Sequence, residues 1–279
     1  MISEVMGRLI DTCDANIKTN DGDYVGEDGL LYCGKCHTRK QAEIILLGQI
    51  RRPMCLCSCE QERLEKEKQA QRKREFEEKV KRYRRIGFPR SDMFKWTFEN
   101  DDRSNGELTD AMQRYVDNFP ELLKDGKGLL LHGSVGTGKT YAACEVANAL
   151  IDKGYPVLVT NFSRITNTLQ GMFEGRQEYI DSLNDFKLLV LDDLGAERES
   201  SYMQEMVYTI IDSRYRAGLP MIITTNISIE QIKKTSSIER MRIYDRILER
   251  CFPVDVSGSS RRRKIVRDSY KSTKNILGI

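Results

Sequence analysis

The chain has 279 residues and a formal net charge of only +3, with 31% charged and 39% hydrophobic residues. These values are typical of a globular protein with one sizeable core, and they exclude attraction to nucleic acid by overall charge alone. No apolar run approaches the roughly 18–20 residues of a membrane span. Residues 1–14 include acidic side chains and do not resemble a secretory signal, so we expect a cytoplasmic protein with no membrane partner.

The cysteines are concentrated near the N-terminus. Of eight in the chain, six lie in the first sixty residues, namely Cys13, Cys33, Cys36, Cys55, Cys57 and Cys59. Cytoplasmic thiols stay reduced, so this clustering indicates metal binding rather than disulfide bonds. Residues 1–59 are also rich in turns and poor in apolar periodicity. We therefore expect a small cysteine-rich zinc-binding module over residues 1–59.

The cysteine spacing predicts one tetrahedral Zn²⁺ site. The expected ligands are Cys33, Cys36, Cys57 and Cys59, with Cys55 as the alternative to one of the last two. Cys13 and His37 also lie nearby in the sequence. Free thiols, either buried or redox-active, are the other interpretation. A segment with so few apolar residues needs a metal to stay folded, which favours zinc.

Residues 60–87 are dominated by Glu, Lys, Arg and Gln, and contain no Gly or Pro before Gly87. This composition predicts a charged helix with opposite charges four residues apart. Its apolar residues are too sparse for a coiled coil. The segment is interpreted as a solvated helical linker, with a nucleic-acid-binding helix as the alternative.

The remainder, residues 88–279, alternates short apolar runs with amphipathic stretches. Strands are predicted at 128–132, 157–160, 187–191 and 221–225, and helices at 141–153, 163–184 and 201–217. Apolar strands that alternate with helices predict a parallel sheet covered on both faces. The expected fold class is therefore α/β.

A phosphate-binding loop follows the first of these strands. Its residues match the pattern Gly-x-x-x-x-Gly-Lys-Thr, and they are Gly133, Ser134, Val135, Gly136, Thr137, Gly138, Lys139 and Thr140. The glycines allow successive backbone N–H groups to point at phosphates, and the following helix presents its positive end to the same anion. Lys139 is expected to reach the β- and γ-phosphates and Thr140 to ligate Mg²⁺. ATP and Mg²⁺ are the predicted ligands.

Two later strands end in polar residues that complete the predicted site. Asp192 and Asp193 follow one strand, and we expect Asp192 to hold Mg²⁺ and Asp193 to act as general base. Thr225 and Asn226 end another strand, and both are predicted to point at the γ-phosphate, because ligands bind beyond the carboxyl ends of parallel strands. Asn226 would then orient the attacking water. Its alternative role is to cap the helix that begins at Ser228.

The phosphate loop, the Asp192-Asp193 pair and the Thr-Thr-Asn strand end, in this order, resemble those of AAA+ ATPases. The amino-acid sequence of residues 191–226 is similar to that of the DnaC/DnaI helicase-loader and IstB transposition-helper family. This resemblance covers the chain from about residue 88 to its end. It implies an AAA+ P-loop ATPase domain over residues 88–279.

The resemblance also implies a role for the arginine-rich segment 240–250. It is similar to the family's box VII helix, which supplies an arginine finger to ATP bound by a neighbouring subunit. Arg246 matches the finger position, and Arg250 is the alternative. Such a finger implies self-association. Without the resemblance, the segment would be interpreted as a solvated helix face.

Residues 258–264 resemble the family's Gly-x-Ser-x-Arg element, whose arginine acts as sensor 2 within the same subunit. The register assigns this role to Arg262. The chain departs from the family pattern at Arg261, where an aromatic residue is common. A basic patch for nucleic acid is the alternative interpretation.

A zinc module ahead of the ATPase resembles DnaI-type loaders, whereas IstB-like helpers generally have a helical N-terminus. The resemblance therefore implies an ATP-dependent loader that delivers a replicative DNA helicase onto single-stranded DNA. An IstB-like ATPase that assists a DNA transposase is the alternative function. A DNA-binding zinc protein with a purely structural nucleotide site is a third.

Overall fold

A computed structural model describes residues 20–195, 201–258, 260, 270, 273, 274 and 276–278. The chain divides into two compact units between Glu77 and Glu78. This division falls inside the first described helix, α1 (Ser58–Gly87), which covers the predicted linker. No helix within the described ranges is long and apolar enough to cross a membrane.

The N-terminal unit contains two small antiparallel hairpins. Their strands are β1 (Tyr24–Val25), β2 (Leu31–Tyr32), β3 (Ile44–Leu46) and β4 (Gln49–Arg51). In the described part of this unit, few apolar side chains are buried: Leu30, Leu31, Cys33 and Cys57. Burial of so little apolar surface does not offset the entropy of ordering these residues, so a further cross-link is expected to stabilise them.

Helix α1 is solvated over most of its length. In its first turns Arg63 pairs with Glu60 at 2.6 Å and with Glu67 at 2.7 Å, both on one helix face. Only its last turns join an apolar core, where Val80 and Tyr83 pack against the second unit's buried residues. The expected charged helix is thus observed.

The second unit is built on a parallel sheet. Its strands are β5 (Gly128–His132), β6 (Val157–Asn161), β7 (Leu188–Leu194), β8 (Met221–Thr225) and β9 (Cys251–Asp255), in the order β6-β7-β8-β5-β9. The predicted α/β class with a parallel sheet is confirmed. Strand β9 was not predicted, because it contains Pro253 and an exposed Phe252. Proline is tolerated there because β9 lies at the edge of this sheet.

Helices cover both faces of the sheet. They are α2 (Gly106–Asp117), α3 (Phe119–Asp125), α4 (Lys139–Asp152), α5 (Phe162–Gln170), α6 (Arg176–Ser182), α7 (Ser201–Arg216), α8 (Ile229–Lys233) and α9 (Ile238–Arg250), with short 3₁₀ turns at Ser91–Lys95, Phe98–Asn100 and Leu183–Asp185. The single helix predicted at 163–184 is two helices, since Gly175 adopts a left-handed conformation with φ 76°.

The sheet is apolar on both faces, so it separates two core layers. In β5, Leu129 and Leu131 face the layer that includes α2 and α4, while Leu130 faces the layer that includes α5, α7 and α9. Successive side chains of a strand point to opposite faces, which explains why the β5 sequence is continuously apolar rather than alternating.

A buried arginine ties the end of α7 to the strands beside it. The Arg214 guanidinium donates to the carbonyl oxygens of Phe186 (2.8 Å), Lys187 (3.1 Å) and Pro220 (2.8 Å). Burial lowers the pKa of Arg214 to about 9. These bonds satisfy carbonyls at the starts of β7 and β8, so they fix where both strands enter the sheet.

We expect Arg214→Lys to lower the free energy of unfolding by about 2–4 kcal/mol, because an ammonium group cannot reach all of these buried carbonyls and leaves some unsatisfied. Urea denaturation followed by circular dichroism measures the change. Arg216→Lys, two residues on and with a largely exposed side chain (75%), is the matched control and should change stability by less than about 0.5 kcal/mol. Equal losses in both variants would contradict this role of Arg214.

Candidate nucleotide and metal sites

The predicted phosphate loop connects β5 to the N-terminus of α4. Gly133 has φ 148°, and a Cβ there would lie 2.4 Å from the Val256 carbonyl oxygen. Gly136 has φ 84°, and a Cβ there would lie 2.3 Å from Ser260 Oγ. Both positions therefore need glycine, for backbone conformation and for close approach. The loop is packed against the chain that follows β9.

Lys139 is buried at the first turn of α4. Its Nζ donates to the carbonyl oxygens of Gly133 (2.9 Å) and Ser134 (2.8 Å), and to Asn226 Oδ1 (2.7 Å). The structure therefore brings the predicted phosphate-binding lysine and the predicted water-orienting asparagine into direct contact. The N-terminus of α4 adds its positive dipole end at the same place.

The two predicted magnesium ligands are also together. The Thr140 side chain lies close enough to the Asp192 carboxyl to lower its pKa. Burial raises the pKa of the Asp192 carboxyl, and hydrogen bonds from Thr224 and Thr140 oppose that rise. A carboxylate whose charge is costly to bury, next to a hydroxyl and close to Lys139, fits the oxygen ligation that Mg²⁺ prefers.

A β-bulge places Asp193. The pairing of β7 with β8 shifts between Leu191 and Leu194, and Asp193 adopts a left-handed conformation with φ 57°. Aspartate tolerates this conformation better than most residues, and bulges redirect side chains next to functional sites. Asp193 is exposed while Asp192 is half-buried, so the two neighbouring carboxylates occupy different environments.

Thr224 was missed by the sequence analysis. Its hydroxyl donates to Asp192 Oδ1 at 2.6 Å and accepts the backbone N–H of Asp193 at 2.9 Å, so it connects both carboxylate residues to β8. The expectation for Thr225 was wrong, because that side chain is buried and donates to the Leu194 carbonyl. The only sequence signal was the Thr-Thr pair, and alternation along β8 puts Thr224 on the sheet face of Ile222 and Thr225 on that of Ile223.

The capping role considered for Asn226 belongs to another residue. Ser228 caps α8, and it forms a capping box with Gln231 in which each side chain accepts the other's backbone N–H. The Asn226 side chain, which follows β8, instead accepts a hydrogen bond from Lys139.

The predicted finger Arg246 lies on α9 and is held by α7. Its Nε donates to Asp212 Oδ1 at 2.7 Å and its Nη2 to Tyr208 Oη at 2.8 Å. Arg250 makes longer bonds, to the carbonyls of Asp125 (3.4 Å) and Tyr215 (3.5 Å). The contacts of a single subunit do not choose between the two as a finger.

Arg262 lies outside the described residues, as does Cys13. Ser260, two residues before Arg262, is described and lies next to Gly136. The predicted sensor 2 element therefore begins beside the phosphate loop.

The N-terminal unit brings four thiols together. The Sγ atoms of Cys33, Cys36, Cys57 and Cys59 all lie within 4.8 Å of one another. A tetrahedral Zn²⁺ with Zn–S bonds of about 2.3 Å places its sulfurs about 3.8 Å apart, and Cys33 and Cys59 are 3.6 Å apart here. Cys55 instead contacts the Arg39 carbonyl, and His37 contacts Tyr24. The four-thiol set therefore fits one zinc ion.

The pKa shifts of these thiols also favour a bound cation. The Thr38 hydroxyl, followed by the backbone N–H groups of Cys59 and Thr38, lowers the pKa of Cys36 to about 5. Hydrogen bonds with Cys57 and Cys33 raise the pKa of Cys59 to about 12. Adjacent sulfurs cannot all be thiolates without a cation between them, and Zn²⁺ supplies that charge.

The parallel sheet, the phosphate loop and the carboxylates at the strand ends define a P-loop ATPase of the AAA+ class. The sequence matches the family of IstB-like ATP binding proteins over residues 60–269, and the chain belongs to this family.

Individual relatives have low sequence identity to this chain. The replicative helicase loader DnaI of Bacillus subtilis is 26% identical over 201 residues, which cover 67% of this chain and 64% of that protein. The replicative helicase loader DnaC of Escherichia coli K12 is 27% identical over 140 residues, covering 47% of this chain and 55% of that protein. The matches therefore span less than two thirds of either relative's own length.

Solved structures show the same likeness. A crystal structure of DnaI has a TM-score of 0.53 at 25% identity, covering 61% of this chain and 96% of that chain. A crystal structure of the DnaC helicase loader has a TM-score of 0.50 at 25% identity, covering 60% and 100%.

Thr224→Val keeps the shape of the side chain but removes the hydroxyl between Asp192 and Asp193. We expect the rate of ATP hydrolysis to fall on the order of tenfold, since the lost hydrogen bond to a carboxylate is worth about 1.5–3 kcal/mol. Steady-state phosphate release measures the rate. Thr224→Ser, which keeps the hydroxyl, should retain most of it; a Thr224→Ser rate as low as that of Thr224→Val would exclude the hydroxyl as the cause.

Proposed function

We propose that this protein is an ATP-dependent loader of a replicative DNA helicase onto single-stranded DNA, acting in the cytoplasm. One observation carries the proposal: the same chain joins an ATP site to a separate four-thiol unit. Similarity to proteins named as replicative helicase loaders supports it. An IstB-like ATPase that assists a DNA transposase is the competing function, and the experiments below distinguish the two.

The nucleotide site supports hydrolysis as well as binding. In the proposed mechanism, Lys139 and the loop N–H groups hold the phosphates, while Thr140 and Asp192 hold Mg²⁺. Asp193 activates a water molecule that Asn226 orients. The contacts between Lys139 and Asn226, and between Thr140 and Asp192, support this assignment because they gather the required groups at one sheet edge.

Self-association completes the proposed site. Arg246 of one subunit reaches ATP bound by a second copy and stabilises charge on the transferred phosphoryl group. Arg262 contacts the nucleotide of its own subunit. The position of Ser260 beside Gly136 supports a sensor 2 role for the residues that follow it.

The N-terminal unit is proposed to bind Zn²⁺ through Cys33, Cys36, Cys57 and Cys59 and to contact the helicase. Zinc supplies the cross-link that its small apolar core does not. The β3–β4 hairpin exposes large apolar side chains, with Ile45 77%, Leu47 83% and Ile50 63% exposed. Clustered exposed apolar residues are typical of a protein-binding surface, which supports contact with a protein partner.

We expect the purified full chain to retain the replicative helicase of its own cell in a pull-down and to increase helicase activity on single-stranded DNA circles. Lys139→Ala should abolish nucleotide binding, and Asp193→Asn should bind ATP without turnover. Binding is measured by the fluorescence of Trp96, the chain's one tryptophan. Trp96 stacks on Tyr141, the residue after Thr140, with ring centroids 5.6 Å apart.

Ile45→Glu serves as the matched variant for helicase contact, since it alters the exposed hairpin and leaves the ATP site untouched. It should weaken helicase retention without changing ATP hydrolysis. If the chain does not bind the helicase with or without ATP, and instead forms ATP-dependent filaments on duplex DNA, the loader function is wrong and the transposase-assisting function takes its place.

The metal is tested by composition and spectroscopy. We expect one zinc per chain in the purified protein and, when Co²⁺ replaces it, thiolate-to-cobalt charge-transfer absorption with the intensity of a four-thiolate site. Cys36→Ser should lose the metal and unfold the N-terminal unit, whereas Cys55→Ser should keep the metal and the fold of that unit. A chelator selective for Zn²⁺, added with Mg²⁺ in excess, should melt that unit while ATP hydrolysis continues. Loss of zinc in Cys55→Ser would contradict the ligand set.

A further inference from the structure

Three arginines of α9 interleave with two tyrosines of α7 along one side of the helix pair. Arg242 and Arg246 lie over the Tyr208 ring, at 5.6 and 4.7 Å from its centroid. Arg246 and Arg250 lie over the Tyr215 ring, at 5.7 and 4.8 Å. The spacing of four residues on α9 and seven on α7 aligns these side chains. We call these five residues the arginine–tyrosine ladder.

The ladder runs along a buried seam between the two helices. Val207 and Ile211 of α7 and Ile243 and Ile247 of α9 are buried in the same core cluster. This packing fixes the two helices relative to each other, so the ladder has a rigid backbone. A side chain held from such a backbone is positioned with little loss of freedom when it binds a ligand.

Arg246 is the middle arginine of the ladder, and three hydrogen bonds restrain its guanidinium. Its Nε is paired with Asp212 (2.7 Å), its Nη2 with the Tyr208 hydroxyl (2.8 Å) and its Nη1 with the carbonyl of Arg242 (3.2 Å). The Arg246 side chain is 25% exposed and that of Asp212 13%. The Arg246 side chain is therefore largely covered but keeps some contact with solvent.

A guanidinium group has five N–H groups, and these bonds use three of them. Within the described part of the chain, one N–H on Nη1 and one on Nη2 are left over. Two N–H groups on neighbouring nitrogens match the spacing of two phosphate oxygens, which is the geometry of bidentate recognition.

We propose that Asp212 and Tyr208 are positioning residues for Arg246. They hold its guanidinium in one orientation, so that its two remaining N–H groups meet the phosphate oxygens of ATP bound by a second copy of the chain. The inference rests on the proposed role of Arg246 in trans. It adds that α7, the helix after the Asp192-Asp193 strand, determines how that arginine is presented.

The chain offers matched pairs of variants. Tyr208→Phe removes the hydroxyl that Arg246 uses, whereas Tyr215→Phe removes a hydroxyl that donates to Glu249 at 2.8 Å. Asp212→Asn removes the charge that pairs with Arg246. Arg216→Gln removes the exposed arginine that pairs with the other Asp212 oxygen, also at 2.8 Å, and leaves Arg246 in place.

ATP hydrolysis by the full chain is measured at protein concentrations high enough for self-association. We expect Asp212→Asn to lower kcat on the order of tenfold and Tyr208→Phe somewhat less, with KM for ATP unchanged, because the arginine stabilises charge that develops in the transition state. Tyr215→Phe and Arg216→Gln should match the wild-type rate. Wild-type or faster hydrolysis by both Asp212→Asn and Tyr208→Phe would overturn the proposal.

Mixing two variants distinguishes a loss of arginine positioning from misfolding. Asp193→Asn is inactive by itself but keeps Arg246, Asp212 and Tyr208 intact. Mixed with Asp212→Asn, it should present a correctly held arginine to the Asp212→Asn subunit's ATP, so the mixture should exceed the sum of the separate rates. A purely structural defect in Asp212→Asn would show no such gain and would overturn the proposal.

Arg246→Ala mixed with Asp193→Asn tests the proposed function independently. A gain there shows that the arginine acts in trans, whatever Asp212→Asn does. If that mixture shows no gain, the finger assignment fails and the positioning role fails with it. If it gains while the Asp212→Asn mixture does not, only the positioning role is overturned.

Discussion

The hydroxyl of Thr224 connects two neighbouring strands at the edge where both end. It donates to Asp192 and accepts the N–H of Asp193, so the bulge of β7 is held in register with β8. Because β5 and the phosphate loop lie on the other side of β8, the same strand aligns Lys139, through Asn226, with the acidic residues.

Local patterns were enough to predict the parallel sheet and the groups at its edge. A glycine loop between an apolar strand and a helix, and carboxylates after a later strand, depend on residues close in sequence. Strand β9 was not predictable in this way, since Pro253 hides it and its place beside β5 is a long-range contact. The choice of Thr225 over Thr224 has a similar cause, because the face on which a strand residue lies depends on the packing of the fold, and Thr224 shares the sheet face of Ile222.

The two units of the chain are stabilised by different physical means. The second unit buries aliphatic side chains on both faces of a sheet, so its fold follows from apolar patterning. The described part of the first unit buries few apolar residues, and its buried lysine, Lys40, pairs with Asp23 at 2.5 Å. There the cysteine spacing, rather than hydrophobic periodicity, is the local signal, because it brings four thiols together.

The close approach of the Val256 carbonyl to Gly133 has a consequence for the chain after β9. The phosphate loop leaves no room for a methyl group between Gly133 and that carbonyl, and Ser260 lies beside Gly136. Because such tight packing transmits displacement, the loop and the residues packed against it cannot change position independently. Val256 and Ser260 therefore form part of the wall that supports the phosphate loop, although they follow the sheet in the chain.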